Sequence, residues 1–343
     1  MSGRSVPIAL GVIALVILTI AAWYDTRDAA GAWLFAFVLV AGVPIGALSL
    51  RLVGRLTGGA WYSVLEPILS GLSLLVPFAG IGAILVLASA PLLYPWASSG
   101  AHDASVGLFY LNMPLVVLKT VIAFAGWSVL ALDLLPSEGE RGQIVAGLGL
   151  VFHAVITTFV AYDWLLAMTP GFTSSAFGAE TVIVWMLSAL AVATILAPEV
   201  PRKASYDIAG LTTAMIMGVG YMVFFQFLII WYGDLPDTVR FYLARADAPG
   251  IVLMVASLLV GLVVPMLALA FEPVRRSPRR LRVVALLVLA GIALYRGWCV
   301  LPLFGPLAWL LAPVATILFV CVLAVSRRWS RRLPYGSEEV GHG

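Results

Sequence analysis

The sequence predicts an all-helical integral membrane protein that crosses the bilayer about ten times as one domain, residues 1–343. Three observations predict it. The chain is 62% hydrophobic and 11% charged with a mean hydropathy of +1.06, whereas soluble domains use roughly half apolar and a quarter charged residues. Pro/Gly-rich or charged breaks divide it into ten apolar stretches, each near the roughly 20 residues that span about 30 Å of hydrocarbon as a helix. The basic residues fall mostly on alternate connections.

The first stretch, 7–24, has a signal-like Arg4 and the small pair Ala21-Ala22. It is expected to be retained, because bulky Trp23 and Tyr24 follow at once. The next are 30–50 and 61–90, the latter carrying Glu66 beside Pro67, a proline that removes the helical donor of the Ser63 carbonyl and is expected to bend the helix. Then come 113–134, 143–168, 177–197, 207–231, 250–271, 281–300 and 306–325, with a tail at 326–343. Unpaired backbone amides in lipid cost several kcal/mol each, and no alternating pattern suggests a barrel, so all ten read as helices.

Lys and Arg set the orientation. The side of the N-terminus receives fifteen: Arg4, Arg51, Arg55, Arg141, Arg202, Lys203, the five arginines from 275 to 282, and Arg327, Arg328, Arg331 and Arg332. The other side receives four, Arg27, Arg240, Arg245 and Arg296, while Lys119 lies within a span. Both termini are therefore expected in the cytoplasm. The net charge of +3 reads as topology, and no basic, aromatic-interleaved patch supports a nucleic-acid partner.

The ligand inventory limits redox chemistry. His102, His153 and His342 offer no facing pair for a membrane haem, and Cys299 and Cys321 lie in apolar stretches without a C-x-x-C pattern. The chain is expected to bind no metal, haem or iron–sulfur cluster.

Ionisable groups in hydrocarbon cost at least about 2.5–3.5 kcal/mol and should face the protein interior. Lys119 and Asp163 are expected at similar depth below the far face, as an ion pair that either locks two helices together or receives protons. His153, about ten residues below Asp163 on the same helix and one turn from Thr157, is either a proton relay or a neutral core histidine. Glu66 either meets water at the Pro67 bend or pairs with Arg51 or Arg55. Glu180 completes the proton-path candidates. Trp164, Ser174, Ser175, Gln226, Trp231 and Asp234 are candidates for an outer vestibule that admits a quinone head; aromatic residues at helix ends are also ordinary interface anchors.

Two turn-rich segments carry a resemblance. Residues 161–178 read AYDWLLAMTPGFTSSAFG and residues 226–236 read QFLIIWYGDLP. With Leu93-Tyr94-Pro95-Trp96, Tyr110-Leu111-Asn112-Met113-Pro114 and Trp127, they resemble the ActF subunit of alternative complex III, whose patterns run DWxMSLxPxWxSTxFG and QxLIIWYGNLPEE. The matches fall in order over about residues 60 to 300. Asp234 stands for the usual Asn, Asp237-Thr238 for an acidic pair and Lys119 for an Arg; Val263-Val264-Pro265 lacks a histidine, and Leu294-Tyr295-Arg296-Gly297-Trp298 lacks an acid common in relatives.

The resemblance implies an NrfD-like fold of two four-helix bundles with flanking helices, in the bacterial cytoplasmic membrane. It implies a proton-conducting or coupling subunit of a quinol:cytochrome c, or other periplasmic acceptor, oxidoreductase. The implied partners are an ActC-like paralogue, a multihaem cytochrome, an iron–sulfur protein and in some assemblies a terminal oxidase, with haem and iron–sulfur clusters in those partners and quinol as substrate of the complex. The alternatives are a quinone-binding anchor of another NrfD-type enzyme and an ion-coupled secondary transporter.

Overall fold

The structure is a computed structural model that describes residues 6–98, 110–169, 171–234 and 236–330. His102, His342, Arg4, Arg331, Arg332 and the expected tail past residue 330 lie outside the described residues, as do Pro170 and Leu235. Among the described residues there is no strand. Nine helices are long and apolar enough to cross a membrane, and ten if one bent pair counts as a single span. The expectation of about ten crossings agrees with this count.

The first long helix, α1, spans Val6–Tyr24 and buries only Ala14 and Ala21. Asp25 caps α2 (Thr26–Val40), its carboxylate accepting the Asp28 N–H. At Ala41 the chain passes into α3 (Gly42–Thr57); Pro44 has no N–H to return to the Val40 carbonyl. Together α2 and α3 make a span of 32 residues, longer than the expected 30–50. It carries Arg51 and Arg55 on the helix instead of in a loop. Gly58 and Gly59, at φ of 65° and 105°, end it where a side chain would be strained.

The expected single helix 61–90 is broken. α4 (Ala60–Ser73) and α5 (Val76–Ala88) meet at a bend of 43°. Pro67 sits inside a continuing α4; the break falls just before Pro77, which disfavours helical backbone ahead of it and has no N–H for the Ser73 carbonyl. A short α6 (Ala90–Leu93) follows.

α7 (Met113–Ala131) starts at Asn112, whose side chain accepts the Leu115 N–H. α8 (Gly139–Trp164) ends in a 3-10 turn at Leu166–Met168. α9 (Ala176–Leu196) runs through the centre, touching α3, α4, α8 and two later helices, α10 (Arg202–Tyr232) and α15 (Pro278–Val300). Between these lie the short α11 (Pro236–Leu243), then α12 (Ala248–Leu258), a π turn at Leu259–Val263, α13 (Val264–Ala270) and α14 (Glu272–Arg275). In the π turn the Val264 N–H reaches back five residues to the Leu259 carbonyl. Pro265 follows and supplies no N–H, so the helix cannot keep one unbroken register there. A 3-10 turn at Leu301–Leu303 leads to α16 (Pro306–Ser330), which packs on α1 and α2.

Small residues set the closest crossings, as expected where packing and not water drives association. Gly42 and Gly46 put α3 against α9: a Cβ at Gly46 would stand 1.9 Å from the Trp185 carbonyl oxygen. Gly261 and Gly291 bring the π turn and α15 together so closely that a Cβ on Gly291 would lie 2.1 Å from the Gly261 α-carbon. One core cluster gathers around Phe37, Trp127, Trp164 and Phe319, and a second around Val184, Ile216 and Val288.

Candidate functional site

We call the face where α1 begins the near face and the opposite one the far face. Asn112 fixes the far-face start of α7, so Lys119 lies about two turns inside. Asp163 is in the last turn of α8, where the helix carbonyls disfavour a carboxylate. Lys119 offsets this. Its Nζ stands 2.8 Å from Asp163 oxygens, with the Asp163 side chain fully buried and the Lys119 side chain 11% exposed. The ammonium also lies 3.6 Å from the centre of the Tyr110 ring. Burial, together with the Asp163 charge, pushes the Tyr110 phenol well above its ordinary range. The Tyr94 hydroxyl donates to the Trp164 carbonyl and the Trp164 indole N–H to Thr120, closing the pair in from below.

His153 is buried on α8 with Nδ1 3.5 Å from Thr157 Oγ1. Ten residues of helix separate it from Asp163, about 15 Å. Its ring centre is 5.9 Å from Trp127, which in turn lies 6.0 Å from Trp185. His153 Nε2 and the Nε1 atoms of Trp127 and Trp185 are buried without a hydrogen-bond partner among the described residues. Three such nitrogens in one cluster are unusual in a folded interior.

At the near face Arg51 and Arg55 both turn to Asp133, at 2.8 Å and 2.7 Å. Arg51 is buried and also donates to Ser73 Oγ and the Ala131 carbonyl. The alternative pairing with Glu66 does not form; Glu66 sits half-buried on α4. Asp133 was not singled out from the sequence. Its signal was that it is an acid just past α7 on the side that holds two arginines.

A second buried pair joins α9 to α15. Arg296 Nη2 lies 3.3 Å from Glu180 Oε1, both side chains nearly inaccessible, and 3.5 Å from Thr181 Oγ1. The Glu180–Arg296 contact lacks hydrogen-bond alignment, and both Glu180 oxygens and Arg296 Nε and Nη1 are unsatisfied among the described residues. Arg296 and Arg245, counted from sequence among far-face charges, are both buried instead. Arg245 donates to the Cys299 and Phe241 carbonyls and to Thr169 Oγ1, and stacks 3.8 Å over Phe241. The Phe241 ring in turn stacks on Phe172 at 4.1 Å between ring centres. Burial pushes the Arg245 guanidinium down to about 10, still charged at neutral pH, and the Tyr242 phenol up to about 12. Phe241, four residues before Arg245, was the available signal for this stack.

Of the six vestibule candidates, Ser174 and Gln226 meet directly. Ser174 donates to Gln226 at 2.7 Å, and Gln226 donates to the Tyr242 hydroxyl at 3.3 Å. Trp164 instead lies in the core, 4.8 Å from Phe37 between ring centres. Trp231, Ser175 and Asp234 are exposed, Asp234 with a left-handed φ of 45°.

No protein-family model matches the chain, and no curated protein matches it. Among the described residues no three His, Cys, Asp or Glu side chains gather as metal ligands would, and Cys299 and Cys321 are buried free thiols. The chemistry these groups offer is acid–base: carboxylates held by cations, and an imidazole between two charged ends.

Proposed function

We propose that this chain is an integral subunit of an alternative-complex-III-like quinol oxidoreductase in a bacterial cytoplasmic membrane. It conducts or couples protons while its neighbours carry the electrons. The observation that carries the reading is the line of ionisable groups through α3, α7 and α8: Asp133 with Arg51 at the near face, His153 between, and Lys119 with Asp163 toward the far face. Charges this deep are tolerated only when they face one another inside the protein. The unsatisfied nitrogens of His153, Trp127 and Trp185 favour internal water there, which typically makes about three hydrogen bonds to such groups. Water of that kind bridges gaps that side chains alone leave open.

In this reading α2–α8 form one four-helix bundle, α9–α15 the other, and α1 and α16 flank them. Both termini lie in the cytoplasm. The ordered resemblance at 161–178 and 226–236 supplies the partners: an ActC-like paralogue that handles quinol, a multihaem cytochrome and an iron–sulfur protein.

The secondary-transporter alternative expects broken helices at matching places in two halves. The breaks instead fall at Ala41, at Leu74-Leu75 and in the π turn at Leu259–Val263, which are not equivalent positions of two four-helix units. That favours the respiratory reading.

The test is to isolate the natural protein in its membrane complex and follow proton release during quinol oxidation. Co-purification with haem and iron–sulfur subunits is expected. Asp163→Asn, whose amide oxygen still accepts from the partly exposed Lys119, is expected to lower turnover or proton yield by about a hundredfold, the scale of a lost acid–base group, with assembly intact. A protein that purifies alone, or wild-type proton release in the variant, rejects the proposal.

A further inference from the structure

A groove of about 460 Å³ opens between α10 and α13 near the near face. Its α10 wall is made of small residues at helical spacing, Gly210, Thr213 and Ala214, and its α13 wall of Met266 and Leu269. From Tyr206 to Met217 the groove follows eleven residues of helix, about 16 Å, roughly half the hydrocarbon thickness. The space beside Gly210 is open: a Cβ there would meet nothing within 4 Å.

The end at the near face is basic. Arg275 lines it beside Tyr206, its guanidinium 5.7 Å from the ring centre and its Nε buried without a hydrogen-bond partner. Arg276 is committed to the Tyr206 hydroxyl and to Glu272, and Arg282 to the carbonyls of Ala197 and Pro198. Arg279 and Arg280 stand exposed beside them, with Arg202 and Lys203 at the start of α10. Glu272 and Asp207 are the acids on these elements at this end, so positive charge dominates.

A largely apolar groove about 16 Å long with the Arg275 guanidinium at its near-face end complements a ligand with an anionic head and an apolar tail. We propose that it is a binding site for one anionic glycerophospholipid, with the phosphate on Arg275 and an acyl chain lying along Gly210 toward Met217 and Met266. The site is independent of the proton-coupling reading. Basic side chains at this depth attract anionic lipid heads and favour them over zwitterionic ones.

The test uses the full chain purified in detergent with equal amounts of phosphatidylglycerol and phosphatidylcholine, and native mass spectrometry to count retained lipids. One phosphatidylglycerol is expected to be retained over phosphatidylcholine by about tenfold. Arg275→Ala is expected to abolish the preference and Arg275→Lys to restore most of it. Gly210→Leu, which keeps every charge and favours helix, is expected to expel the lipid by filling the slot. Glycerol phosphate without chains should leave the lipid in place. Equal retention of the two lipids by wild type, full retention in Gly210→Leu, or displacement by glycerol phosphate alone overturns the proposal.

Discussion

The carboxylate of Asp28 receives the backbone N–H of Gly305 at 2.7 Å, and through its second oxygen that of Ala308 at 3.2 Å. A side chain at the start of α2 thus caps α16, 277 residues away in sequence. Arg27 reinforces the junction by donating to the Leu303 carbonyl and lying over the Phe304 ring. Asp28 is buried, so the N-terminal amides of α16 depend on it and not on solvent. Replacing such a cap with alanine costs about 1–2 kcal/mol. Asp28→Ala is expected to lower the thermal unfolding midpoint measured by circular dichroism in detergent, with Asp28→Asn in between; a midpoint equal to wild type contradicts the cap.

Removing one partner of a buried ion pair strands the other and costs about 3–5 kcal/mol, whereas replacing both with apolar residues of similar volume is often neutral. Lys119→Met alone is expected to destabilise the protein strongly. Lys119→Met combined with Asp163→Leu should recover most of the lost stability while proton coupling stays abolished. Recovery of coupling along with stability would show the pair to be a helix lock and nothing more.

Asp133 holds Arg51 and Arg55 from a backbone with φ of 51°, a conformation that Asn and Asp tolerate better than other non-glycine residues. Asp133→Ala loses both ionic hydrogen bonds and adds strain, an expected cost of about 3 kcal/mol. Asp133→Asn keeps the backbone fit and should cost less. Glu66→Gln, which touches neither arginine, should stay within about 0.5 kcal/mol of wild type. Chemical-unfolding midpoints in mixed micelles give the ranking, and an inverted order refutes the assignment.

Two glycines separate a structural need from tolerance. At Gly46 a methyl group would collide with the Trp185 backbone, while at Gly210 it would enter open space. Gly46→Ala is expected to destabilise by about 1–3 kcal/mol or to fail to accumulate in the membrane. Gly210→Ala should be neutral or gain about 0.5–1 kcal/mol of helix propensity. Expression yield and melting temperature of the two single variants provide the comparison.

The spans were legible because hydrocarbon imposes length and polarity on every crossing. The Lys119–Asp163 pair was legible too, since two opposite charges at one depth have few other ways to be tolerated. The bend was misplaced because Pro67 and Pro77 look alike in sequence; only the packing of α4 decides which proline the helix continues through. Arg245 and Arg296 look like surface charges in sequence because their burial depends on groups from distant segments, the Cys299 carbonyl for Arg245 and Glu180 for Arg296. The dispersal of Trp164 and Trp231 has the same origin: adjacency to a helix end does not fix which side of the helix a ring takes.

Where Gly261 meets Gly291 two main chains touch with no side chains between them. Interlocked side chains resist sliding and rotation alike, but bare backbones resist only closer approach. Any side chain at either position would therefore push the π turn and α15 apart, and the apolar residues packed around the contact, Leu262 with Val288 and Ile292, keep their fit only while both positions stay bare.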